Sequence, residues 1–293
     1  MLPKCIRKST DLVTSRQATC AGFLAQARAK GQKAAPFVKE AAELWSALQQ
    51  SKDIHALVSS VSLEQLATAV GFSDKAQRYF SDEELRQAIN TELEAIAKRC
   101  GESFREEILY RFLLTRGDTL GGEMRNVTGA LAQDKIIKGL LRALAAKGTE
   151  AQSEEVRGKI TRISFDARLL LLDRTPQIVG KNIDVILLKM PPMTTPAREL
   201  VEDRSLYLAC GELKGGIDPA GADEHWKTAR SALDRIREQF PMNCPKLFFV
   251  AAAIEEAMAR EIYKQLKADK LTFAANATVA AQVDELIAWL LAL

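Results

Sequence analysis

Over residues 10–100 apolar side chains return every three or four positions, as in Phe37, Val38, Ala41, Ala42, Leu44, Trp45 and Leu48. That spacing gathers them on one side of a 3.6-residue helix, and no alternating run interrupts it, so the region is expected to be helical. Ser62 and Ser81 each precede an acidic first turn, Glu64 in one case and Asp82, Glu83 and Glu84 in the other. A serine hydroxyl at that place accepts from the free N–H groups of a first turn, so helices are expected to start at both. Gly71 to Lys75 lies between them as a connector or a short helix start. A longer amphipathic helix is expected over residues 102–115, through Ile108, Leu109, Phe112 and Leu113. The run Arg116-Gly117-Asp118-Thr119-Leu120-Gly121-Gly122 is expected to stop it as a shaped loop.

Past Gly148 the polar run Thr149 to Glu155 reads as a surface connection, and the texture then changes. Residues 160–165, 183–188, 205–214 and 247–250 are apolar or alternating runs between turn signals, the pattern of sheet. Helical stretches follow over residues 221–240 and 254–267, with an apolar helix over 281–293. The expected fold class is α/β, in the broad α+β sense: a mixed central sheet flanked by helices, plus an N-terminal helical region. The expected division is a helical region over 1–100 and a sheet-bearing domain over 101–293.

Composition adds mostly exclusions. With 47% hydrophobic and 27% charged residues in 293, the chain can bury a substantial core and is not a disordered tail. The 41 Lys plus Arg against 38 Asp plus Glu leave +3, too mild for a polyanion binder by bulk charge, so any such site is local. No stretch of eighteen uncharged apolar residues occurs, and the start Met1 to Lys8 lacks the apolar core of a signal peptide, so a cytoplasmic protein without a membrane span is expected. Five scattered cysteines suggest neither a disulfide framework nor a zinc ribbon. Two histidines, His55 and His225, rule out a multi-histidine metal site.

The candidate chemistry lies on two of the strands. Asp184 is followed 28 positions later by Glu212 and then by Lys214. Residues two apart on a strand share a face, so Glu212 and Lys214 project together while Leu213 points away. If the two strands are neighbours, Asp184 joins them, and two carboxylates suit a hard divalent cation such as Mg²⁺. A lysine beside them can orient water and offset charge growing on phosphate oxygens. The plain alternative is a solvated strand edge with a surface ion pair. Against it stand Ile183, Val185, Ile186, Leu187 and Leu188, which surround Asp184 with apolar residues. A carboxylate among them needs a partner or a metal. Gly215 and Gly216 then let the chain leave the strand, and His225, eleven residues beyond Lys214, starts a helix. It could take a proton from attacking water, or simply bind a neighbouring carboxylate.

The run Cys210 to Trp226, read CGELKGGIDPAGADEHW, together with Asn182-Ile183-Asp184, resembles the catalytic segment of type II restriction endonucleases of the AvaI/BsoBI group. The resemblance extends to Gly71-Phe72-Ser73-Asp74-Lys75-Ala76 and to Arg116 through Asn126. It implies a PD-(D/E)xK nuclease core in which Asp184 and Glu212 bind Mg²⁺, Lys214 supports the attacking water and His225 lies near it. Ile183 stands where that motif usually has proline. The resemblance further implies that Asp218 faces bases, that Lys75 contacts a base or phosphate, and that a homodimer encloses double-stranded DNA at a palindrome related to CYCGRG. Arg116 and Arg125 could bring guanidinium groups against DNA, or belong to a helix connection in which Arg125 pairs locally with Asp118. Two other functions fit the same residues: a noncatalytic DNA-binding protein with a decayed nuclease site, and a DNA-repair nuclease of the same fold.

Overall fold

The computed structural model describes residues 2–190 and 197–293, which divide by their contacts into two units. Leu24–Asn126 form one, and Met1–Phe23 with Val127–Leu293 form the other.

The first unit is helical. Its elements are α1 (Arg16–Gln50), which begins in the other unit, α2 (Ile54–Ser60), α3 (Leu63–Ala69), α4 (Asp74–Gln77), α5 (Asp82–Cys100) and the N-terminal part of α6 (Phe104–Ala146). The expected starts are real caps. Ser62 Oγ accepts from the N–H of Gln65 at 3.2 Å. Ser81 Oγ accepts from Glu84 at 3.3 Å, while Glu84 Oε2 accepts from the Ser81 N–H at 2.8 Å. The core joins Leu44 and Leu48 of α1 to Leu57, Leu66, Ile89, Leu93, Ile108 and Phe112. Each large side chain so enclosed contributes roughly 1.5–3 kcal/mol.

Arg116 to Gly122 does not stop a helix. The run lies inside α6, a single helix of 43 residues. Interior glycines cost about 1 kcal/mol each against alanine. The helix survives them because buried residues anchor it on both sides: Ile108, Phe112 and Leu120 before or within the run, and Ala132, Ile136, Ile137, Leu140 and Leu144 after it.

The second unit is built on a seven-stranded sheet in the order β1 (Ala151–Val156), β2 (Lys159–Phe165), β3 (Arg168–Arg174), β4 (Ile183–Lys189), β5 (Tyr207–Lys214), β6 (Lys246–Ala251) and β7 (Phe273–Asn276). The pairs from β1 to β5 are antiparallel, and β5–β6 and β6–β7 are parallel. The helices are α7 (Ala197–Leu200), α8 (Ala222–Gln239), α9 (Glu256–Lys267) and α10 (Ala280–Ala292). The stretch expected as a surface connection is largely β1. It joins β2 through Arg157 and Gly158, with φ of 53° and 74°, and its solvated faces erase the alternation that marks a strand. The central strands are apolar on both faces. Leu169, Leu171, Ile186, Cys210 and Phe249 pack with Trp226 and Leu233 of α8 and with Met258 and Ile262 of α9. Leu170, Leu172, Val185, Leu187, Phe248 and Val250 pack with Ile136 and Leu140 of α6 and with Leu286 and Leu290 of α10.

Candidate active site

The antiparallel register of β4 with β5 sets Val185 against Gly211 and Ile186 against Cys210. Continued by one residue, it sets Asp184 across from Glu212. The strand alternation breaks at Asp184: Ile183 belongs to the core under α8 and α9, whereas Val185 belongs to the opposite one. Leu213 points into that opposite core, away from Glu212 and Lys214.

Three side chains meet at this point. Lys214 Nζ lies 3.3 Å from Glu212 Oε2 and 3.7 Å from Asp184 Oδ2. The N–H of Leu213 donates to Asp184 Oδ2 at 2.8 Å, and Asn182 Nδ2 donates to Oδ1 at 3.3 Å. Glu212 is 4% exposed. Its carboxyl is pushed up to about 7, first by burial and then by the negative charge of Asp184, against the opposing charge and hydrogen bond of Lys214. Ionised Glu212 thus lacks full compensation from the one ammonium present. The donor set is oxygen only, which fits a hard cation. Among the described residues no group of three or more His, Cys, Asp and Glu side chains is arranged so that it could hold a metal ion. A cation here would therefore complete its shell with water, substrate or main-chain oxygens.

Two glycines hold β5 in place. A Cβ on Gly211 would lie 2.1 Å from the Phe248 ring, and one on Gly215 would lie 2.1 Å from the carbonyl oxygen of Thr128 in α6. His225, on the first turn of α8, is exposed, and its imidazole makes no hydrogen bond among the described residues. Its Nε2 lies over the strand exit, 3.6 Å from where a Cβ on Gly216 would be and 3.3 Å from one on Gly221. Asp218, also exposed, spends Oδ1 on the N–H of Ala220 at 3.0 Å, capping the turn Pro219–Gly221.

Lys75, Arg116 and Arg125 belong to the helical unit. Lys75 is exposed on α4 and has no ion pair among the described residues. Arg125 is exposed on α6, its guanidinium along the helix near Gly122 and without the local Asp118 pair. Arg116, in contrast, is buried. It is 6% exposed, and its guanidinium is bound by Asp74 and Glu40 at 2.9 and 3.0 Å. Charges buried in this way are held by their counterions.

The sequence did not single out the supports of the triplet: Asn182 as a donor, the Leu213 amide, and the obstacles that exclude a Cβ at residues 211 and 215. Nor did it single out Asp173, at φ 51° in β3 between the partners of Ile183 and Val185. The two glycines were visible, but the ring and the carbonyl they avoid lie 37 and 87 residues away.

A family model described as restriction endonuclease BsobI matches residues 3–164 and 151–293. The chain is 39% identical over 310 residues to the type II restriction enzyme AvaI of Nostoc sp., covering 98% of each chain. It is 35% identical over 311 residues to the type II restriction enzyme BsoBI of Geobacillus stearothermophilus, covering 98% of this chain and 96% of that one. With matches that run nearly end to end, the chain belongs to the BsobI family of type II restriction endonucleases.

Proposed function

We propose that the protein hydrolyses phosphodiester bonds of double-stranded DNA at a short palindromic site related to CYCGRG, with Mg²⁺, and that it does so as a homodimer. The observation that carries the reading is Lys214 Nζ within 3.7 Å of both Asp184 and the nearly buried Glu212, on neighbouring strands. Asp184 and Glu212 are the residues that would hold the cation. When bound, Mg²⁺ supplies Lewis-acid stabilisation of the negative charge that grows on the phosphoryl oxygens.

The chain's own groups do the rest. Lys214, fixed between two carboxylates, directs its ammonium toward the phosphate and offsets the same growing charge. The imidazole of His225, with no hydrogen-bond partner among the described residues, takes the proton from the attacking water at Nε2. As the new oxygen–phosphorus bond forms in line, the bond to the departing deoxyribose oxygen breaks and that oxygen takes up a proton from solvent water, with no covalent enzyme intermediate. The free oxygen of Asp218 accepts from a base amino group, and Lys75 donates to purine acceptors, a pair suited to telling pyrimidine from purine. A twofold assembly matches a twofold site, which is the physical ground for a dimer.

The test is plasmid cleavage in Mg²⁺ by the wild type and by Asp184→Ala, with sequencing of the cut ends. One short palindrome at every end from the wild type, and no cleavage by the variant, is the expected result. Undiminished cutting by Asp184→Ala would overturn the assignment. Ends set by mismatches or termini would instead favour a repair nuclease.

A further inference from the structure

We infer that Arg116 is a positioning residue for sequence discrimination: it fixes the one-turn helix α4, through Asp74, so that Lys75 meets a base edge of duplex DNA in a single register. This rests on the reading of Lys75 given above.

Helix α4 has four residues, far too few to sustain a helix on its own. Its stability must come from anchors. Ser73 Oγ caps it by accepting from Ala76 at 3.2 Å, Gln77 Nε2 donates to the Phe72 carbonyl at 3.2 Å, and Phe72 meets Phe80 edge-on at 5.3 Å. These contacts are local. The tie from α4 to a long helix is the ion pair of Asp74 Oδ1 with Arg116 Nη1, at 2.9 Å.

Arg116 is itself immobilised. Its guanidinium stands over the rings of Phe37 and Phe112, at 5.4 and 5.5 Å from their centroids. Nη2 lies 3.0 Å from Glu40 of α1 and 4.0 Å from Glu64 of α3. Among the described residues its Nε, though buried, has no hydrogen-bond partner. One planar fork thus ties α1, α3, α4 and α6 together, which an ammonium on a flexible stem cannot reproduce. Lys75 follows Asp74 directly and keeps its own ammonium unpaired among the described residues. Reading a base edge needs a donor held to about half an ångström, and a lysine stem supplies that only if its backbone is fixed.

The experiment measures kcat/KM on a duplex carrying the site found by end sequencing, and on duplexes with one substituted base pair. The proteins are the wild type, Arg116→Lys, Asp74→Asn, Lys75→Ala and the double variant Arg116→Lys/Lys75→Ala. A loss of folded protein lowers cleavage of every duplex alike and leaves the ratio between them untouched, so the ratio reports positioning alone. Arg116→Lys and Asp74→Asn are each expected to lower the ratio roughly five- to hundredfold, as loss of a base contact does. The double variant is expected to be no worse than Lys75→Ala, because the two residues act through one contact. If Arg116→Lys fails to fold, Asp74→Asn, at a half-exposed position, decides alone. An unchanged ratio in both Asp74→Asn and Arg116→Lys, with a lowered one in Lys75→Ala, would overturn the inference and leave the reading of Lys75 standing. Losses that add in full in the double variant would overturn it too, since Arg116 would then act by a separate route. An unchanged ratio in Lys75→Ala would remove the reading of Lys75, and the inference with it.

Discussion

The backbone N–H of Leu213 donates to Asp184 Oδ2 at 2.8 Å, so the carboxylate of β4 is tied to the strand that carries Glu212 and Lys214. The same oxygen lies 3.7 Å from Lys214 Nζ. Asp184 is therefore oriented by main chain, which no side-chain substitution on β5 removes, while its charge is balanced by a side chain that substitution can remove.

Lys214→Gln separates these two functions. The amide, one bond shorter than the lysine stem and uncharged, cannot offset charge on a phosphate, and it leaves the buried Glu212 without its ammonium partner. Loss of one such electrostatic contact costs about a hundred- to a thousandfold in the chemical step. Single-turnover cleavage should fall by that order, while duplex affinity measured without added divalent cation should change little. A comparable loss in affinity would mean that Lys214 serves binding and not chemistry.

Gly215→Ala and Gly216→Ala should part sharply although the positions are adjacent. A methyl at residue 215 would sit 2.1 Å from the Thr128 carbonyl oxygen, a backbone atom that cannot swing aside. At residue 216 the nearest atom is His225 Nε2 at 3.6 Å, an ordinary contact. The first substitution forces Lys214 and its strand away from α6 and should cost about 1–3 kcal/mol in urea unfolding, with reduced cleavage. The second should leave stability within about 0.5 kcal/mol of the wild type. Equal effects would refute the packing of β5 on α6 at Thr128.

These glycines mark the boundary of what local pattern could reveal. The strand ending in Glu212 and Lys214 was legible because its alternation and the glycines after it are contiguous, and the caps at Ser62 and Ser81 because donor and acceptor are three residues apart. Helix α6 was not, because what overrides Gly117, Gly121 and Gly122 lies elsewhere in the chain: Glu40 and Asp74 hold Arg116, and the core residues Leu44 and Leu66 share a cluster with Phe112. Strand β1 was illegible for the opposite reason. As an edge strand solvated on its faces it carries no alternation, and pairing with β2 alone makes it a strand.

The cysteines should differ in reactivity according to burial. Cys210 is fully buried, which holds its thiol well above its ordinary range. Cys5 is pushed up to about 12 by burial, then by the hydrogen bond to Glu285 and the charge of that carboxylate. Cys20 is exposed on α1. Since the thiolate is the reacting form, a disulfide reagent at pH 8 should label Cys20 rapidly and leave Cys5 and Cys210 unmodified until denaturant is added. Mass mapping of the labelled peptides checks this, and early labelling of Cys5 would show that its bond to Glu285 is not maintained in solution.

Glu285 links acid stability to the N-terminal segment. Its carboxylate accepts from the N–H of Lys4 at 2.5 Å and from that of Cys5 at 2.8 Å. Burial opposes its ionisation, but these bonds, the Cys5 thiol and the charge of Lys4 outweigh burial and hold the carboxyl below its ordinary 4.5. The folded state thus binds this proton more weakly than the unfolded chain does. Its contribution is complete above the unfolded value near 4.5 and is lost as the pH falls through the lower folded one. Glu285→Gln keeps an acceptor oxygen without the charge and should cost about 1 kcal/mol at pH 7. The difference between variant and wild type should shrink steadily as urea melts are repeated from pH 5 downward. A difference that stayed constant across that range would show that Glu285 holds Lys4 and Cys5 by packing and not by its charge.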